Sequence, residues 1–92
     1  MKKVTMIVMP GCPYCANAKK ALAALQKEAA YRDVQVELVD ETSEADKVKP
    51  YAGAYYYVQT LFVNHDKSYE AHPGDTYEVI CEAVEKALAA AK

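Results

Sequence analysis

The sequence predicts an α/β domain: a four-stranded mixed sheet, a βαβ unit followed by ββα, flanked by helices. Three observations carry that prediction. A short apolar run rich in β-branched residues, Val4 to Met9, stands directly before a helix-period stripe. A segment that alternates from Val34 to Leu38 and extends to Asp40 follows that stripe. Two further short segments separated by a polar turn then lead into a last amphipathic helix.

Taken in order, Val4 to Met9 is nearly continuously apolar, the pattern of a strand buried on both faces, and Pro10-Gly11 ends it. Pro13 suits the first turn of a helix, where its missing N–H costs nothing. Cys15, Ala18, Leu22, Leu25 and Ala29 then recur at steps of three and four, predicting a helix that ends near Ala30 to Arg32 with Lys19, Lys20 and Lys27 on its solvated face. Val34, Val36 and Leu38 alternate with Gln35 and Glu37 as a half-buried strand. Ser43 with Asp46 predicts the cap of a short exposed helix stopped by Pro50. Leu61-Phe62-Val63 forms the third strand, Asn64 to Lys67 a turn, and Ser68 to His72 an antiparallel fourth strand broken by Pro73-Gly74. Asp75 is expected to cap the last helix, with Glu78 at the capping-box position and Ile80, Ala83, Val84, Ala87 and Leu88 as its core stripe.

Composition narrows the function. The 92 residues form one domain, 1–92, and their 52% apolar content excludes a disordered tail. Eleven basic against thirteen acidic residues give a net charge of −2, which argues against nucleic acid or a membrane surface as partner. The run after Met1-Lys2-Lys3 is too short for a signal peptide or a membrane span, so a soluble, cytoplasmic monomer is expected. Three cysteines, an odd number, do not make a disulfide framework.

Two of those cysteines carry the chemistry. Gly11-Cys12-Pro13-Tyr14-Cys15 lies where a buried strand meets a helix start. At that junction Cys12 occupies the N-cap region, where unpaired N–H groups and the helix dipole stabilise a thiolate and make it the nucleophile. Cys15, one turn in and on the apolar stripe, is shielded and suited to resolve a mixed disulfide. Two inert core thiols, or half of a zinc site, are the competing readings. Zinc needs two further ligands, and His65, His72 and Cys81 stand at no recognisable spacing. Met9 before the pair evokes a copper-chaperone loop, but that fold is βαββαβ and has no proline between its cysteines. Cys81 is expected to pack in the last helix, His65 to be solvated, and His72 to have no role.

Cys12-Pro13-Tyr14-Cys15 after the first strand resembles the glutaredoxins, a branch of the thioredoxin superfamily, and the order of elements is similar along the whole chain. The resemblance implies the thioredoxin/glutaredoxin fold and a thiol–disulfide oxidoreductase serving cell redox homeostasis and electron transport, with no bound cofactor. Electrons would come from glutathione or a thioredoxin-reductase-type donor, and the substrates would be disulfide-containing proteins or glutathione. It further implies a groove lined by Pro13 and Tyr14, bordered by Tyr55, Tyr56 or Tyr57, with the segment Val58-Gln59-Thr60 facing the cysteines.

The chain departs from the family pattern at four places. Family members place a cis proline where Gln59 stands, and pair substrate with the backbone of the preceding residue, here Val58. A cis bond costs roughly 2.5–4 kcal/mol before a non-proline residue against about 0.5–1 kcal/mol before proline. A trans Val58–Gln59 bond, a reshaped loop and weaker substrate pairing are therefore expected, with an impaired or metal- or cluster-binding module as the alternative function. The turn Pro73-Gly74-Asp75-Thr76 matches the family's γ-glutamyl-binding turn only loosely; Asp75 there would take the glutathione amine, and Gly74 belongs to the same turn. Met9-Pro10-Gly11 replaces a lysine that often precedes the first cysteine, and Met6 stands where thioredoxins keep a buried acid.

Overall fold

Strands without a polar face belong in the middle of a sheet, and two strands here are of that kind. In the computed structural model, which describes residues 2–51, 53–55, 58–64, 66–72 and 74–92, β1 (Val4–Val8) and β3 (Thr60–Val63) are buried at every position. β2 (Val36–Asp40) and β4 (Asp66–Glu70) are the edges, giving the order β2-β1-β3-β4. β1 runs parallel to β2 and antiparallel to β3, and β3 antiparallel to β4. α1 (Pro13–Leu25) joins β1 to β2, α2 (Ala45–Val48) with a 3-10 turn at Lys49–Tyr51 precedes β3, and α3 (Tyr77–Ala91) follows β4.

The alternation of β1 and β3 divides the core into two layers. Val4, Met6, Val8, Leu61 and Val63 pack with Cys15, Leu22, Ile80, Val84 and Leu88, so α1 and α3 share one face. Ala18 and Ala21 on α1 and Ala83 and Ala87 on α3 are buried in the same layer, and their small side chains let the two helices approach closely. Ile7 and Phe62 turn to the other face, where the Tyr51 ring stands 4.3 Å from that of Phe62. The Tyr51 hydroxyl donates to Thr5 Oγ1 at 3.2 Å, which satisfies a polar group inside that layer. Each large apolar side chain buried this way contributes about 1.5–3 kcal/mol.

The structure corrects several boundaries. α1 stops at Leu25, well short of Ala30: Gln26 N–H makes the last i→i−4 bond, to Leu22 O, the Lys27 and Glu28 N–H groups reach only three residues back, and the Gln26 side-chain amide donates to Val34 O at 2.9 Å. Ala29, placed on the stripe by periodicity, is exposed. Val34 is buried but precedes β2, and Leu38 is 45% exposed while Val39 is 1% exposed. Alternation assigns Leu38 to the α1/α3 face beside Met6, but β2 is an edge strand and that position stays open to solvent. α2 forms without the Ser43 cap: Glu44 holds the N-cap position, with its side chain accepting the Asp40 N–H instead, and Pro50 lies inside the 3-10 turn.

The hairpin is tighter than expected, with Val63 pairing directly with Asp66 and Asn64 at a φ of 56°. Asparagine tolerates that left-handed conformation, so β4 begins two residues earlier than predicted and carries a bulge between its pairings with Leu61 and Phe62. The expectation for His65 lies outside the described residues. Among those described, no helix is long and apolar enough to cross a membrane.

Candidate active site

The pairing registers decide which loops meet. Val8 at the end of β1 lies beside Asp40 at the end of β2, and Ile7 lies beside Thr60 at the start of β3. Thr60 in turn lies beside Glu70 at the end of β4. The segments just after β1, β2 and β4 and just before β3 therefore converge on one end of the sheet. That end holds residues 9–12, Glu41, Val58-Gln59 and the turn into α3.

Cys12 is the N-cap of α1, and its own sulfur acts as the capping acceptor, taking the Cys15 N–H at 3.2 Å. Gly11, at a φ of 78°, supplies the left-handed turn that lifts the chain out of β1 into this cap. The Cys12 thiol donates to Val58 O at 3.6 Å, across 46 residues of sequence. Cys15 is 1% exposed. Burial, reinforced by the hydrogen bond to Cys12, pushes its thiol up to about 12. Both sulfurs belong to buried residues, Cys12 at 9% and Cys15 at 1% exposed, but they are unequal: one caps a helix terminus beside a groove, the other keeps its proton deeper in the core.

Val58 does face Cys12, but not as the dipeptide preference predicted. The Val58–Gln59 bond is cis, which corrects the expectation of a trans bond and a reshaped loop. That expectation weighed a local preference alone. The loop is held from both sides, by Cys12 Sγ on Val58 O and by the Ala71 N–H on Gln59 O at 3.0 Å. Gln59 and Thr60, expected to line the groove, are instead fully buried. Thr60 belongs to the sheet ladder, and Gln59 buries a carboxamide whose oxygen and nitrogen find no partner among the described residues.

The turn into α3 is also rearranged. Thr76, not Asp75, caps the helix through Val79 N–H, which moves Glu78 off the capping-box position. The Asp75 carboxylate accepts from the Tyr69 hydroxyl and from His72 N–H, and the first of these holds it below its ordinary range. The Asp75 N–H donates to His72 O, and the Gly74 N–H donates to the Tyr14 hydroxyl at 2.9 Å. The Asp75 carboxylate and N–H, expected to hold a γ-glutamyl moiety, are thus engaged within the protein.

Two grooves flank Cys12. One is lined by Met9, Cys12, Pro13, Tyr14, Glu41 and Val58. The other runs past Pro10, Cys15 and Ala16 to Lys19. Glu41 was not foreseen, and the signal for it is topological: a residue following a parallel strand beside β1 must arrive at the same sheet end as Cys12. Its carboxylate accepts from Tyr55 Oη at 2.7 Å, and this bond, after burial, drives the tyrosine up to about 12. Tyr56, Tyr57 and Pro73 lie outside the described residues. Cys81 is half-buried against the α1/α3 core, and no group of three or more metal-binding side chains occurs among the described residues.

Residues 4–54, just over half of the chain, match the glutaredoxin family. The chain belongs to that family. Comparison with curated proteins finds no match. Among solved structures, it is similar to Trxlp from Edwardsiella tarda EIB202, with a TM-score of 0.63 at 14% identity over 90% of this chain and 81% of that one. That likeness and the sheet order establish the thioredoxin/glutaredoxin fold. Glutaredoxins act in thiol–disulfide chemistry, and the cysteine pair of this chain lies close together at the start of α1.

Proposed function

We propose that the protein is a thiol–disulfide oxidoreductase that reduces disulfides by dithiol exchange, with Cys12 as nucleophile and Cys15 as resolving residue. The observation that carries this reading is the inequality of the two thiols: Cys12 Sγ caps α1 beside a groove, while Cys15 is the more deeply buried and holds its proton up to about 12. In the exchange, the Cys12 thiolate bonds one substrate sulfur as the substrate S–S bond breaks, and the other sulfur leaves and takes up a proton. Cys15 then gives up its proton and bonds Cys12 Sγ, releasing the second substrate thiol. Two electrons pass to the substrate and the protein is left as a disulfide. Glutathione or a reductase protein returns it to the dithiol, in a reducing, cytoplasmic setting.

Val58 supports the reading as well. Its carbonyl lies within reach of Cys12 Sγ, so the facing loop is in position to hold a substrate backbone against the reacting sulfur. Reduction of insulin by dithiothreitol, followed by turbidity, tests the function. Wild type is expected to accelerate it and Cys12→Ser to lose the acceleration; equal rates for the two would remove the enzymatic reading.

A further inference from the structure

The groove beside Cys12 has a charge pattern that selects its substrate. Met9, Pro13, Tyr14 and Val58 give it apolar walls, and Glu41 is the only charged side chain lining it among the described residues. Glu41 is fixed there from two directions. Its backbone N–H donates to Val8 O at 2.9 Å, which extends the β1–β2 pairing by one residue. One carboxylate oxygen accepts from the Tyr55 hydroxyl, and the Tyr55 ring packs edge-on to Phe62 at 6.4 Å, so the acid is held by the core.

The other carboxylate oxygen has no partner among the described residues, and no cation pairs with this acid within them. Glu44, nearby in sequence, is by contrast paired with Lys47 at 2.8 Å. Lys19 lines the groove on the other side of Cys12 and acts on Cys15 and Asp40. A held, half-buried carboxylate left unpaired beside a reacting sulfur attracts a cation and repels an anion that arrives with the substrate.

We infer that Glu41 is a specificity-determining residue and that the Cys12 groove takes disulfides carrying a basic side chain next to the reacting sulfur, in preference to anionic ones. The inference rests on the exchange reading above. In the step concerned, Cys12 Sγ bonds the near sulfur, the substrate S–S bond breaks, and one equivalent of substrate thiol is released. Glu41 enters only by binding the cationic end.

Three small disulfides of similar length test it: cystamine, bis(2-hydroxyethyl) disulfide and 3,3′-dithiodipropionate, which are cationic, neutral and anionic. Mixed-disulfide formation on Cys12 is followed by mass spectrometry in the full-length Cys15→Ser protein, with and without Glu41→Gln. The ratio of cystamine to dithiodipropionate rates, each referred to the neutral compound, is expected to fall about three- to tenfold on Glu41→Gln, as for the loss of one modest ion pair plus one repulsion. The preference is also expected to shrink in high salt with Glu41 intact, a readout that needs no variant at that position. A ratio unchanged by both Glu41→Gln and salt overturns the specificity role while leaving the exchange reading standing. Failure of the neutral disulfide to modify Cys12 overturns both.

Discussion

Gln59 offers the sharpest test of the packing around the site. Its side chain is fully buried, and neither its Oε1 nor its Nε2 has a partner among the described residues. A buried polar group left without a hydrogen bond costs about 1–3 kcal/mol relative to one that has been satisfied or removed. Gln59→Met keeps the unbranched shape and replaces the carboxamide by a thioether and methyl, and imperfect fit in a close-packed layer takes back up to about 1.5 kcal/mol. The net expectation is a gain of about 1 kcal/mol, which in a domain of this size raises Tm by about 4–8 °C. Urea unfolding should show the same gain as a higher midpoint with an unchanged slope. A variant less stable than wild type would mean that the carboxamide is satisfied in solution, and would refute the accounting. Insulin reduction measured alongside separates a stability change from a change at the neighbouring Val58 carbonyl.

The asymmetry of the cysteines predicts that iodoacetamide at about pH 8 modifies Cys12 in the native dithiol protein and spares Cys15; peptide mapping that found equal labelling would contradict the buried, protonated Cys15. Because folding raises the Cys15 pKa from 9.0 to about 12, the group's contribution to stability is whole below pH 9.0 and is lost as the pH climbs toward 12. Cys15→Ala should therefore lose less stability over that alkaline interval than wild type. Asp75 has the opposite sign: held below its ordinary value of 3.8, it stabilises the fold above that pH and less as acid protonates it. Acid unfolding should accordingly be milder in Asp75→Asn, and no difference in its pH dependence would count against the Tyr69 and His72 contacts. Thr76→Ala is expected to cost about 1 kcal/mol as the loss of the α3 cap. On the edge strand, Leu38→Lys should fall within about 0.5 kcal/mol of wild type, whereas Val39→Ala should cost about 2 kcal/mol, both by urea titration.

Much of the fold was legible because its signals are periodic and local. The nearly continuous apolar run of β1, the three-and-four spacing on α1 and α3, and the order of elements all followed from residues close in sequence. The misreadings share a cause. Alternation indicates which residues of β2 share a face but not that β2 is an edge, so it implies for Leu38 a cover that the sheet order does not provide. Asp75 has the chemistry of an N-cap, yet Tyr69 and His72 compete for its carboxylate and leave the cap to Thr76. The preference of the one peptide bond before Gln59 says nothing of the contacts on either side of it.

What the sequence determined by itself is the pair of thiols and their different situations. A cysteine at a helix start and a second one turn further in, on the apolar stripe, are placed by helix geometry alone. The surroundings of that pair came from tertiary structure. Val58 reaches Cys12 across 46 residues and Tyr14 reaches Gly74 across 60, while Glu41 enters the groove because β2 lies parallel to β1. Helix spacing is set by bonds between near neighbours. Which loop carbonyl, hydroxyl or carboxylate stands opposite the sulfur is set by strand register, and register depends on how the whole sheet buries its apolar faces.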